Sequence, residues 1–232
     1  MAMILASWIA RAWRRYQAHL EAVLEGPRPL VRLLLVTLLA ALAWWAYVPL
    51  HELAHAGACV SCGGEVRRMT LAPIYGGTLA ARHLDWIDDD TPYAGQLADF
   101  TPGSDACYLW LVLAPFAATP LARPLLRRSS RRGSPLLLAL GSLLVLMPLV
   151  SVTGDFYEAA SIVVTRLTEG VVPDALSLRS DDLPALVGRL LARGSDVPAG
   201  QWAVVVASAL LGLAAALALT AASIPQASRP VK

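Results

Sequence analysis

Residues 44–58 read WWAYVPLHELAHAGA. An apolar run that begins at Leu30 ends in His51-Glu52-Leu53-Ala54-His55. Histidine and glutamate are costly in or near a bilayer, so such a trio needs a partner or a task. On a helix, residues four apart share a face, and both imidazoles can hold one Zn²⁺. Glu52 sits beside them, where it can take a proton from a water activated by that zinc. The competing reading is an interfacial histidine pair satisfied by lipid headgroups and water.

The rest of the chain supports a membrane setting. Of 232 residues, 56% are hydrophobic, and the mean hydropathy is +0.56. Four long apolar runs stand out: about 30–58, 106–126, 135–165 and 201–224. Each has the roughly 20 apolar residues that cross a hydrocarbon core of about 30 Å. The expected fold is an all-α polytopic membrane protein with four transmembrane helices. It carries an N-terminal amphipathic helix, a short β-hairpin-like insert after the HExxH helix and an outer amphipathic helix. Residues 1–29 form the N-terminal cytoplasmic segment and 30–165 a three-helix core. Residues 166–200 are an outer loop, and 201–232 are the fourth span with its tail. In the opening MAMILASWIA the charges follow the apolar residues, unlike a secretory signal.

The net charge of +2 hides an asymmetry. Arg11, Arg14, Arg15, Arg28 and Arg32 precede the first span; Arg123, Arg127, Arg128, Arg131 and Arg132 lie between the second and third; Arg229 and Lys232 follow the fourth. The positive-inside rule then puts both termini in the cytoplasm of a bacterial-type inner or plasma membrane, with the long loops and the HExxH site toward the outer face. Without aromatic interleaving, these short arginine blocks read as topology signals, and nucleic acid is not an expected partner. Ile4, Trp8, Ala12, Tyr16 and Leu20 share one face of a helix over residues 1–25. That face rests either on an anionic membrane surface or on the protein itself.

A catalytic zinc wants a third protein ligand. Position 61 is Ser61, so no third histidine follows six residues after the motif. Cys59 lies four beyond His55 and is in reach if the helix continues. The third run offers Asp155 and Glu158 on one helical face. Glu52 is about 19 residues beyond Leu33, and Asp155 about 19 beyond Leu136; at 1.5 Å per residue both lie about 28 Å from the inner surface. The competing reading makes Asp155 and Glu158 a cap on the outer end of the span. Cys59 and Cys62 form a CxxC, read either as a disulfide in an oxidising space or as small apolar residues, while Cys107 stands alone.

The order of these features resembles the site-2 proteases, the intramembrane zinc metalloproteases. HELAH, an intervening span and then Gly154-Asp155 follow the family's order, and GGEVRRMTLAPIYGG is similar to its segment after the motif. The resemblance covers about residues 30–165. It implies a zinc metalloendopeptidase with His51, His55 and Asp155 as zinc ligands and Glu52 as general base. Its substrate would be a membrane protein or a membrane-proximal peptide. In this chain glycine precedes the aspartate and Phe156 follows it, which keeps Glu158 and Cys59 as reserve ligands. It also keeps open a catalytically inactive, metal-stabilised scaffold or membrane partner subunit on the same fold. A thiol-redox protein using Cys59 and Cys62 is the third reading.

Around the site, Glu65–Leu71 alternates as a strand, Gly76-Gly77 reads as a turn and Thr78 to Ala81 as the returning strand. Such an edge could pair with an extended substrate. Asp88, Asp89 and Asp90 read as a solvated loop. Asp181-Asp182-Leu183-Pro184 is a helix start. Leu183, Leu186, Val187, Leu190 and Leu191 form its apolar face and Gly194 its end, giving an outer cover or lid.

Overall fold

The first apolar run becomes a single helix that continues through His51-Glu52-Leu53-Ala54-His55. A computed structural model describes residues 2–25 and 27–227, with side chains from Ser7 onward. The expected roles of Ile4, Arg229 and Lys232 fall outside these. Helices α1 (Ala2–Leu24) and α2 (Pro29–Ser61) lead into strand β1 (Glu65–Leu71), a 3₁₀ turn (Pro73–Tyr75) and helix α3 (Gly77–Ala81). Strands β2 (Ile87–Asp88) and β3 (Gly95–Thr101) follow. Next come α4 (Asp105–Leu113), a 3₁₀ stretch (Ala114–Leu121), α5 (Ala122–Arg132), α6 (Pro135–Val150), α7 (Asp155–Leu167), α8 (Leu183–Arg193) and α9 (Ala199–Ser223). Four helical stretches, Pro29–Ser61, Asp105–Arg132, Pro135–Thr153 and Ala199–Ser223, are long and apolar enough to cross a membrane.

The chain divides into two compact units. The first holds residues 1–50, 116–148 and 217–232. Its core includes Ala12, Val23, Leu126, Leu138, Val145 and Ala221. Trp8, Tyr16 and Leu20 pack against this core, and the Tyr16 hydroxyl donates to Ser142 Oγ at 2.7 Å. From Trp8 onward, the face of α1 that carries Ala12, Tyr16 and Leu20 packs on the protein. His19, fully buried, bonds Ser130 Oγ and the Pro225 carbonyl.

The second unit holds residues 51–115 and 149–216. Its three strands lie in the order β2-β1-β3. β1 runs antiparallel to β3, with Leu71 opposite Gly95 and Thr70 opposite Gln96. It runs parallel to β2. Strand β1 forms as expected, but its hairpin return does not. Residues Thr78 to Ala81 lie in α3, and the partner strands come from Ile87–Asp88 and Gly95–Thr101. Both edges of β1 are taken, one by β2 and the other by β3, so no edge is left for residues 78–81 to pair with. The chain turns sharply at Gly77, where a Cβ would lie 1.7 Å from the Leu71 carbonyl oxygen.

The third run is not one unbroken helix either. α6 gives way to a 3₁₀ turn at Ser151–Thr153. Gly154 then takes φ −106°, ψ −111°, outside the helical basin, and α7 restarts at Asp155. α8 starts as the sequence indicates: the Asp182 side chain accepts from the Ala185 N–H at 2.8 Å, with proline in the first turn. Leu186 and Leu190 bury its apolar face with Tyr157, Leu178, Val204 and Val205. α9 passes so close to α7 that a Cβ on Gly212 would lie 2.5 Å from the Phe156 carbonyl oxygen. Small residues permit such contact between apolar helices.

Candidate metal centre

His51, His55 and Asp155 offer ligand atoms that all lie within 4.8 Å of one another. The histidines project from α2 with Nε2 atoms 3.0 Å apart. From the first residue of α7, Asp155 presents Oδ2 to His51 Nε2 and Oδ1 to His55 Nε2, each at 3.3 Å. A tetrahedral ion with bonds of about 2.0–2.1 Å has ligands about 3.3–3.4 Å apart, so the spacing suits such an ion. The donor chemistry suits it too. His55 Nδ1 lies 2.8 Å from the Leu111 carbonyl of α4. A carbonyl only accepts, so Nδ1 carries the proton, and the Nε2 lone pair points at His51 and Asp155. The trio can hold a metal ion.

Glu52 is buried and lines a cavity of about 710 Å³ together with the trio, Tyr108, Glu158 and β3. The reserve ligands stand apart. Glu158, one turn along α7, accepts from the Tyr108 hydroxyl at 2.5 Å and is not in the group of three. Cys59 is buried, with Sγ 3.8 Å from the Glu65 carbonyl and 3.9 Å from that of Thr101. It faces the sheet and is not in the group.

The disulfide also differs from expectation. Cys62 is joined to Cys107 with Cα atoms 5.7 Å apart, and Cys59 is free. Cys59 is still on α2 while Cys62 lies just beyond its end, where the chain turns toward the first turn of α4. The bond has a consequence for the metal. Cys107 is one helical turn from Leu111, whose carbonyl fixes His55. Replacing both Cys62 and Cys107 with serine should therefore weaken metal binding at the trio about 10- to 100-fold, the usual cost of losing an outer-shell partner. Competition against a chelator of known affinity measures this; an unchanged affinity would show that α4 holds Leu111 unaided.

Three features of the wall were not legible in the sequence. β3 supplies Gly95 to Ala98 and Phe100 to the cavity. The segment before α8 reaches β3 through two hydrogen bonds, Gln96 Nε2 to Asp181 Oδ2 at 2.5 Å and Tyr93 Oη to Asp182 Oδ2 at 2.8 Å. The latter bond raises the Tyr93 hydroxyl above its usual range. The Ala185 N–H and then Tyr93 lower the Asp182 carboxyl. Arg179 anchors the segment by a bidentate contact to Asp105, at 2.7 and 3.2 Å.

No family model, curated protein or solved structure matches this chain.

Proposed function

We propose that this chain is a membrane-embedded zinc endopeptidase of the site-2 protease kind, hydrolysing a peptide bond in a membrane-proximal segment. The observation that carries the reading is the His51–His55–Asp155 trio beside a buried glutamate in a cavity bordered by an edge strand. Zinc, when bound, supplies Lewis acidity toward the scissile carbonyl and lowers the pKa of a water. Glu52 takes a proton from the attacking water as its oxygen bonds to the carbonyl carbon. It then delivers that proton to the amine nitrogen as the C–N bond breaks. β3 has β1 on one side only, so its other edge offers backbone groups to an extended substrate. Helices hide their peptide bonds, so this pairing suits a segment that has left the helix.

Orientation belongs to the same proposal. The arginine blocks favour both termini in the cytoplasm with the site toward the outer face. The Cys62–Cys107 bond supports this, since disulfides persist in oxidising spaces.

The test is reconstitution in liposomes with zinc. Two probes serve: fluorescein-labelled casein and a single-span test protein with a flexible segment next to the membrane. Cleavage that a chelator abolishes and zinc restores is expected. About one zinc per chain with neither probe cut would favour the metal-stabilised scaffold or partner subunit.

A further inference from the structure

We infer that Gly95 is a positioning residue for Glu52: the side-chain-free start of β3 is the wall that seats the glutamate, and the Asp181–Gln96 and Asp182–Tyr93 hydrogen bonds clamp that wall in place. The inference rests on reading Glu52 as the proton carrier.

A Cβ built on Gly95 would lie 2.5 Å from Glu52 Cγ, 3.0 Å from Cδ and 3.1 Å from Oε1. Carbon atoms in good contact are about 3.5–4.0 Å apart, so a methyl group cannot share this space with Glu52 as it stands. Backbone conformation does not demand glycine here. The glycines with positive φ among the described residues are Gly63, Gly76, Gly133, Gly170 and Gly194, and Gly95 is not one of them. A glycine inside a strand weakens it and often marks a close approach. The close approach here is to the carboxylate that the chemistry needs.

The wall cannot easily retreat. Gly95 is in register with Leu71, and the Ala94 carbonyl accepts from the Ala72 N–H at 3.0 Å. Behind Leu71 lies the backbone of Gly77, again with no room for a Cβ. Tyr93 and Gln96, on either side of Gly95, are held by Asp182 and Asp181. With the strand fixed, the Glu52 side chain is the part that moves when bulk is added. The segment ahead of α8 thus acts on the reaction through β3, without touching the reacting atoms.

The test uses the full-length protein with Gly95→Ala, assayed on fluorescein-labelled casein and loaded separately with Co²⁺. About one metal per chain should remain. The visible cobalt spectrum and its pH dependence should change, because the carboxylate beside the ion has moved. KM should stay within about twofold while kcat falls about 100-fold, the scale of losing a proton-transfer group. Adding Glu52→Gln to Gly95→Ala should cost no more than Glu52→Gln alone; a merely structural role would add its loss instead. Wild-type rate with an unchanged cobalt spectrum would overturn the inference and leave the protease reading standing. If the wild type binds no metal and cuts nothing, the protease reading itself fails. Should Gly95→Ala not fold, Tyr93→Phe with Gln96→Ala removes the clamps without adding bulk. That pair should shift the cobalt spectrum and lower kcat about tenfold, and an unchanged spectrum and rate would overturn the inference.

Discussion

Glu52→Gln is expected to slow cleavage by about 10²- to 10⁴-fold and leave metal binding in place. The substitution exchanges one oxygen for an NH₂ group of nearly the same size. Space is the reason for choosing it: Glu52 is buried against Gly95, and a larger or smaller residue would confound proton transfer with repacking. Glutamine fits the same volume and keeps hydrogen-bonding capacity, but it cannot accept the proton of the attacking water. General base catalysis contributes about 10²- to 10⁴-fold, so kcat should fall by that much. Zinc content should stay near one per chain, because Glu52 is not one of the three grouped ligands. Melting temperature and zinc content, measured beside the rate, separate this outcome from misfolding. A variant that cleaves at the wild-type rate would sink the mechanism. A wild type whose only phenotype is assembly of a partner complex, unaffected by Glu52→Gln, would move the reading to the scaffold.

The parts of this site legible in the sequence are those governed by helical arithmetic. Spacing of four puts His51 and His55 on one face of any helix, and equal depth along two spans brings Asp155 to them. Neither inference needs the fold. What stayed hidden depends on contacts distant in sequence. Cys62 and Cys107 are 45 residues apart, and three cysteines allow three pairings; the nearest pairing in sequence is not the one formed. β3 reads GQLADFT, in which only Leu97 is buried, so its alternation is too weak to announce a strand. The break at Gly154 was not anticipated, since the third run was expected as one span; the chain restarts there so that Asp155 heads a helix. The same glycine-aspartate order that departs from the resembled family motif thus belongs to a local geometry that still delivers the carboxylate to both histidines.

Asp155→Ala should cost the protein its metal. Two histidines remain after the change, and two ligands do not hold zinc well. Structural zinc sites bind with about 10–16 kcal/mol. Spread over three or four ligands, one ligand accounts for roughly 3–4 kcal/mol, which is on the order of 10²- to 10³-fold in affinity. Zinc that survives gel filtration in the wild type should be lost from Asp155→Ala, as from His51→Ala and His55→Ala. The companion variants sharpen the result. Glu158→Gln keeps a polar partner for the Tyr108 hydroxyl, and Cys59→Ser keeps a small side chain facing the sheet. Both should retain zinc, because neither residue belongs to the group of three. Loss of zinc from Glu158→Gln with retention in Asp155→Ala would transfer the third position to the next turn of α7. Position explains why Asp155 is the stronger candidate. It is the first residue of α7, directly after the break at Gly154. The Phe156 backbone that follows is pressed against Gly212 of α9, with no room for a Cβ. The aspartate is thereby held between a turn that aims it and a helix that backs it, 3.3 Å from each imidazole. Glu158, one turn on, is committed to Tyr108.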